Sequence, residues 1–138
     1  MIGVFGDTFY WIAFTNPQDL AHERVKAFTQ ASPPRLIVVT KEVLTEYLNY
    51  FAAWGQRFRG MAAANVQEMR DSRRVRIVAQ TAASFASGLA LYRARLDKGY
   101  SLTDCISMQT MRQEGLSEVL TNDRHFEQEG FRALFRNS

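Results

Sequence analysis

The sequence contains few of the residues from which soft-metal sites and secreted scaffolds are built. Among 138 residues there is one cysteine, Cys105, and there are two histidines, His22 and His125. A single cysteine forms no internal disulfide, and with no Cys-x-x-Cys pair a thiolate or imidazole metal cage is excluded. We therefore expect any metal to be held by oxygen, and we expect the protein in a reducing compartment such as the cytoplasm.

Lysine and long apolar runs are also scarce. Arginine outnumbers lysine by fourteen to three within a net charge of +3, and the planar guanidinium suits phosphate. The N-terminus lacks a basic segment and reaches Asp7 after six residues, which predicts neither a signal peptide nor a transit peptide. No apolar run approaches the ~20 residues that span a bilayer, so we expect no membrane association.

Short apolar runs alternate with helical stretches along the chain. Five runs are predicted as strands: residues 2–5, 36–39, 75–78, 118–121 and 131–135. The first two lack in/out alternation, which is typical of parallel strands covered on both faces, and the last is predicted at a sheet edge. Strands alternating with helices predict an α/β fold with a mainly parallel sheet of four to five strands. With no repeat or linker, we predict one domain over residues 1–138.

Between the strands, the apolar residues follow the period of a helix. Helices are predicted at 20–28, at 41–51, at 82–96 and after Ser101. In the third of these helices the large and small apolar residues lie on one stripe: Ala82, Phe85, Leu89, Tyr92 and Leu96.

Acidic residues stand where the working groups of open α/β sheets are found, just beyond the carboxyl ends of strands. Asp7 follows the first strand, Glu46 lies on the helix after the second, and Asp123 follows the fourth. Asp104 lies near the start of the helix introduced by Ser101. Each acid also has a local explanation, because Asp7 and Asp123 suit helix N-caps and Ser101 with Asp104 can form a capping box.

The geometry of the predicted helices indicates which of these acids face solvent and which face the sheet. After the second strand, Glu42 lies roughly 170° and Glu46 roughly 130° from the centre of the apolar face, so we expect Glu42 to be solvated and Glu46 to lean over the sheet edge. Asp104 shares its face with Met108 and Met111, where an ionised carboxylate is costly unless it is paired or metal-bound. Four carboxylates at one edge repel each other unless a cation neutralises them. Mg²⁺ or Mn²⁺ fits this donor set and leaves room for a substrate phosphate.

Four motifs in the chain resemble those of PIN domains. They are residues 6–13 (GDTFYWIA), Thr45-Glu46, residues 101–105 (SLTDC) and residues 121–126 (TNDRHF). Their order and spacing match over nearly the whole chain, and the third and fourth motifs together are the most specific. Within the family the sequence is most similar to VapC-like toxins of type II toxin–antitoxin systems. The resemblance implies a three-layer α/β/α fold and metal-dependent RNA cleavage by a homodimer that a cognate antitoxin inhibits.

The resemblance also implies roles for individual residues. The acidic metal-site positions are Asp7, Glu46, Asp104 and Asp123, and the polar residues beside them are Thr8, Ser101 and Thr121. In the implied reaction, a water activated by the metal attacks the phosphorus of RNA. One departure is Phe9, which stands where many relatives carry serine or asparagine and so removes a polar contact near the metal.

Candidate RNA contacts come from an arginine-rich stretch that includes Arg57, Arg59, Arg73 and Arg74. Such residues give affinity for phosphates without sequence information. A solvated helix face, or a surface for the antitoxin or a second copy, explains the same residues equally well. His125 could approach a scissile phosphate, but a loop histidine beside an apolar residue is more often local packing.

Other interpretations fit the same residues. Tyr10, Trp11 and Trp54 are predicted to line the core and a groove rather than to stack RNA bases, and an antitoxin helix could enter that groove. A PIN-like fold without catalysis would act as an RNA-binding or protein-interaction module, and a lost acid would mark it. A sugar hydrolase with two carboxylates needs no metal. A phosphoacceptor role for Asp7 would need a nearby lysine.

Overall fold

The computed structural model describes residues 3–136. Its five strands form one sheet in the order β3-β2-β1-β4-β5, and each neighbouring pair is parallel. The strands are β1 (Val4–Gly6), β2 (Ile37–Thr40), β3 (Val75–Val78), β4 (Glu118–Leu120) and β5 (Arg132–Ala133). The predicted parallel sheet is therefore confirmed.

The strand boundaries differ from the predicted ones by a few residues. β1 begins at Val4 rather than at residue 2 and continues to Gly6, and Ile2 lies outside the described residues. β5 is a two-residue strand at the edge of the sheet, where it pairs only with β4. The central strands β1 and β2 are buried at every position, which is the reason why their sequences show no alternation.

Seven helices are present between residues 3 and 136, and they cover both faces of the sheet in the three-layer α/β/α arrangement expected. They are α1 (Thr8–Thr15), α2 (His22–Thr29), α3 (Lys41–Tyr50), α4 (Gly55–Asp71), α5 (Ala82–Ala94), α6 (Leu102–Glu114) and α7 (Arg124–Gln128). None of these helices is both long enough and apolar enough to cross a bilayer.

The apolar stripe of α5 faces solvent, although an amphipathic helix ordinarily turns such a stripe to the core. Its buried residues are instead Gly88 and Leu91, on the side that packs against α6. Three large side chains of the stripe are exposed on the helix: Phe85 at 49%, Leu89 at 39% and Tyr92 at 44%. Leu96, exposed at 81%, lies in the turn after α5, which ends at Ala94 rather than at the predicted residue 96. Because α5 is apolar on more than one side, its period predicted a helix but not the side that would be buried.

Helices α5 and α6 approach each other closely at Gly88. A Cβ atom at this position would lie 2.3 Å from Cγ1 of Ile106 and 3.2 Å from its backbone nitrogen. Glycine in a helix interior is less favourable than alanine by about 1 kcal/mol. Position 88 nevertheless requires glycine, because any side chain would force α5 and α6 apart.

We predict that Gly88→Ala destabilises the protein by about 1–3 kcal/mol, because overpacking against Ile106 outweighs the gain in helix propensity. Gly60→Ala is the matched control. A Cβ at Gly60, on the exposed side of α4, would meet no atom within 4 Å, so this change is expected to stabilise by up to about 1 kcal/mol. Urea unfolding measures both variants. Equal stabilisation by both would contradict the close approach of α5 and α6.

Candidate active site

The candidate site lies where the order of strands in the sheet reverses. From β1 the chain continues to β2 and β3 on one side, whereas β4 and β5 lie on the other. Loops diverge at such a point and leave a crevice at the carboxyl edge of the sheet. Gly6 is in register with Leu120, so the residues that follow them, Asp7 and Thr121, meet there. The Thr121 hydroxyl donates a hydrogen bond of 2.8 Å to Asp7 Oδ2.

Asp7 is a buried carboxyl group that local structure does not explain. It occupies the N-cap position of α1, but its side chain makes no capping hydrogen bond. Only 6% of the residue is exposed. Burial raises the pKa of Asp7 to about 7; the Thr121 hydrogen bond lowers this pKa, and the nearby Asp104 and Glu46 raise it. The fold thus holds a carboxylate where its charge is unfavourable without a cation.

Glu46 reaches the site from α3. The Thr8 hydroxyl at the start of α1 donates a hydrogen bond to Glu46 Oε1, and the glutamate itself is exposed. The prediction that Glu42 is the solvated acid is wrong: Glu42 is partly buried, and its Oε2 is shielded from water without a hydrogen-bond partner among residues 3–136. The reason is that α3 packs against several elements, including α1, α4 and α6, so one apolar face does not describe its burial.

Asp104 caps α6 and also faces the site. Its backbone N–H donates to Ser101 Oγ at 3.0 Å, and its Oδ2 accepts the Ser101 N–H at 3.1 Å, so the capping box exists. Burial raises the pKa of Asp104; hydrogen bonds from Ser101 oppose this, and the charge of Asp123 adds to it. Met108 and Met111 on the same helix are fully buried. The local and the functional explanations of Asp104 are therefore compatible.

Asp123 and His125 reach the site from the start of α7. Asp123 is the N-cap of α7, and its Oδ1 accepts the backbone N–H of His125 at 2.9 Å. One ligand atom from each of Asp104, Asp123 and His125 lies within 4.8 Å of the others. The sequence analysis placed Asp104 and Asp123 in the site but favoured local packing for His125, so it missed the histidine of this cluster. An aspartate at an N-cap with a histidine two residues later was the available signal.

The arginines predicted to bind RNA lie at two ends of one helix. Arg57 and Arg59 belong to the first turns of α4, whereas Arg73 and Arg74 follow its end, about 25 Å away for a helix of this length. The carbonyl of Arg74 accepts a hydrogen bond from the amide of Ile37, the first residue of β2. Arg73 and Arg74 therefore lie at the amino edge of the sheet, opposite the carboxylates.

A comparison with known protein families identifies the family of this chain. The PIN domain family matches residues 4–131. The chain belongs to the PIN domain family. A comparison with curated protein sequences finds no match.

Two solved structures of VapC proteins share the PIN fold of this chain. The crystal structure of Mycobacterium tuberculosis VapC20, described as a Sarcin-Ricin loop cleaving toxin, has a TM-score of 0.82 and 28% identity, and the match covers 94% of this chain and 96% of that one. Rickettsia felis VapBC2, described as bound to a DNA fragment from the promoter, has a TM-score of 0.63 and 14% identity, with coverage of 96% and 97%. The second likeness shows the fold alone.

The raised pKa of Asp7 predicts how the stability of the metal-free PIN domain depends on pH. Its folded-state pKa of about 7 exceeds the ordinary value near 4, so the folded state holds the proton more tightly between these pH values. The carboxyl group therefore destabilises the fold as pH rises from 4 to 7, and the penalty is complete above 7. At about 1.4 kcal/mol per pKa unit, it amounts to a few kcal/mol.

We accordingly expect metal-free Asp7→Asn to be more stable than wild type at pH 8 and to lose this advantage toward pH 4. Urea unfolding in EDTA at several pH values measures the difference. Asp71→Asn, which changes an exposed acid at the end of α4, is the control and should show no such trend. A constant difference between wild type and Asp7→Asn at every pH would contradict the shifted pKa.

Proposed function

We propose that this PIN domain is a VapC-like endoribonuclease that requires a divalent metal ion. The observation that carries the proposal is the set of acids at the carboxyl edge: ligand atoms of Asp104 and Asp123 lie within 4.8 Å of each other, and Asp7 is held at the same edge by Thr121. The charges of Asp104 and Glu46 contribute to the raised pKa of Asp7. The PIN family match and the likeness to VapC20 support a ribonuclease. The non-catalytic alternative has no support, since none of the four acids is missing.

Mg²⁺ or Mn²⁺ is the proposed cofactor, because hard carboxylate oxygens suit these ions. Asp7, Asp104 and Asp123 would hold the ion, and Glu46 would bind it or orient water from the solvent side. A shielded and unsatisfied nitrogen beside these oxygens, His125 Nδ1, supports the fit. When bound, such an ion lowers the pKa of a water molecule and stabilises the oxygen that leaves the phosphorus.

The polar neighbours of the acids fix them in place for this chemistry. Thr121 orients Asp7, the Ser101 amide orients Asp104, and Thr8 orients Glu46. No protein nucleophile is needed, and Cys105 is unsuited to that role because burial raises its pKa to about 11. Water is therefore the nucleophile in the proposed hydrolysis.

RNA is the proposed substrate, and VapC20 is a relative whose described target is the Sarcin-Ricin loop. Arg57 and Arg59 are the better candidates for backbone contacts. They lie on the exposed start of α4 beside Trp54, which is 40% exposed. Arg73 and Arg74, at the opposite edge of the sheet, would reach only an RNA that extends past the domain.

A cognate antitoxin is the proposed protein inhibitor, and the cytoplasm is the proposed location. A cavity of about 190 Å³ between α1, α2 and α4 has a mostly apolar lining that includes Tyr10, Trp11, Phe28 and Met69. It is suited to receive a bulky apolar side chain of a partner segment. Because Ile37 at the amino end of β2 also lines it, the cavity would anchor the antitoxin away from the carboxylates.

A second copy of the chain is the proposed partner of the exposed α5 stripe. No charged residue occurs from 79 to 92, so a two-fold axis that sets Phe85, Leu89 and Tyr92 against their copies brings no like charges of this segment together. Phe85, Leu89, Tyr92 and Leu96 leave roughly 400 Å² of apolar surface in water on typical side-chain areas. A stable interface buries about 800 Å² per partner, and the neighbouring exposed alanines extend the surface toward that size.

The ribonuclease proposal predicts cleavage that depends on both metal and acids. We expect wild type to cleave single-stranded or structured RNA with Mn²⁺ and not with EDTA, and Asp104→Asn to lose at least about 100-fold in rate, since even indirect metal contacts are worth 10–100-fold. Asp71→Asn should retain full activity. Electrophoresis of end-labelled RNA measures the products. Equal cleavage in all lanes would point to a contaminant and overturn the mechanism.

The dimer proposal predicts that charge on the stripe separates the subunits. We expect wild type to be dimeric in size-exclusion chromatography with light scattering, and Phe85→Glu/Leu89→Glu to be a folded monomer because four carboxylates would face each other across the two-fold axis. Leu20→Glu changes an equally apolar and fully exposed residue outside the stripe, so it should remain dimeric. A monomeric wild type would exclude the second copy as the partner of α5.

A further inference from the structure

His125 presents a nitrogen to the carboxylates in a geometry that no hydrogen bond explains. Its Nδ1 lies 3.3 Å from Asp123 Oδ1. That oxygen already accepts the backbone N–H of His125 at 2.9 Å. Nδ1 is shielded from water and has no hydrogen-bond partner among the described residues. A buried imidazole nitrogen without such a partner is unfavourable unless something else binds it.

The distance between His125 Nδ1 and Asp123 Oδ1 is close to that between neighbouring ligands of one small ion. Bonds of about 2.1 Å in an octahedron place neighbouring ligand atoms about 3.0 Å apart and opposite ones about 4.2 Å apart. The 3.3 Å between His125 Nδ1 and Asp123 Oδ1 is close to the shorter value. One ligand atom from each of Asp104, Asp123 and His125 lies within 4.8 Å of the others. This limit is slightly wider than the distance of about 4.2 Å between opposite ligands, so at most a small movement of the side chains brings the set around one ion.

The ring of His125 is held in this orientation by its surroundings. Tyr100 packs edge-on against it, with ring centroids 5.3 Å apart, and Gly99 lies beside the Cε1 and Nε2 atoms of the ring. The Tyr100 hydroxyl donates to Glu129 Oε2 at 3.0 Å. Arg95 and Arg112 pair with the same carboxylate at 2.7 and 2.8 Å. The ring therefore needs little rearrangement to bind an ion.

We propose that His125 Nδ1 is a nitrogen ligand of the metal held by Asp104 and Asp123, and that it gives the site a preference for Mn²⁺ over Mg²⁺. The inference rests on the proposed metal-dependent function and adds a donor that the sequence-based expectation of oxygen ligands did not contain. Imidazole nitrogen suits transition-metal ions, whereas Mg²⁺ favours oxygen alone. The preference follows from replacing one oxygen with this nitrogen.

The test is pulsed electron paramagnetic resonance of Mn²⁺ bound to tag-free protein, which detects a directly coordinated ¹⁴N nucleus. The chain has two histidines, so His22→Asn is a matched control; His22 Nδ1 is bonded to the Ala13 carbonyl at 2.7 Å. We expect imidazole ¹⁴N modulation in wild type and in His22→Asn, and its loss in His125→Asn and His125→Gln. Circular dichroism of each variant checks that it is folded.

Calorimetric titration with Mn²⁺ and with Mg²⁺ measures the preference independently. We expect the affinity of His125→Asn for Mn²⁺ to fall about tenfold or more and its affinity for Mg²⁺ to change much less. Mn²⁺ bound to wild type without imidazole ¹⁴N modulation would overturn the role of His125 and leave the metal site intact. If wild type binds no Mn²⁺, and Asp104→Asn behaves identically, the metal site and the proposed function fail together.

Discussion

The parallel pairing of β1 with β4 is the constraint on which the rest of the site depends. It joins segments more than 110 residues apart and places Gly6 opposite Leu120, so that Asp7 and Thr121 leave the sheet side by side. The hydrogen bond between them holds a carboxyl group that is almost fully buried. Desolvation raises the pKa of that group to about 7. The ionised Asp7 carboxylate is therefore unfavourable in the fold, and a bound cation would neutralise it. The unfavourable charge of Asp7 in the metal-free fold is therefore the feature that supports the proposed metal site.

A second network fixes the helices that carry the other acids. Burial alone would raise the pKa of Glu129, but hydrogen bonds from Arg95, Arg112 and Tyr100 lower it to about 2. These partners belong to the end of α5, to α6 and to the loop before α6. The carboxylate thus ties together the parts of the chain that flank Asp104 and Asp123. A site built on anchored helix starts keeps its geometry better than one on free loops.

The sequence predicted the strands well because a buried parallel strand has a one-dimensional signature, a short run of β-branched and aliphatic residues. It also placed Asp104 and Asp123 at helix starts, where both now serve as caps while facing the site. It failed for Glu42, whose burial depends on the several elements packed around α3. It also failed for the stripe of α5, since a helix that is apolar on two sides carries no local information about which side the core covers.

The sequence by itself determined the five strands, four of the seven helices between residues 3 and 136, the parallel sheet and the four candidate acids, because each follows from residue type and spacing along the chain. Only the tertiary structure decided that Asp7 is buried against Thr121, that His125 turns an unsatisfied nitrogen toward Asp123, and that Phe85 and Leu89 face water. These facts depend on contacts between distant segments, whose desolvation and packing no local pattern encodes.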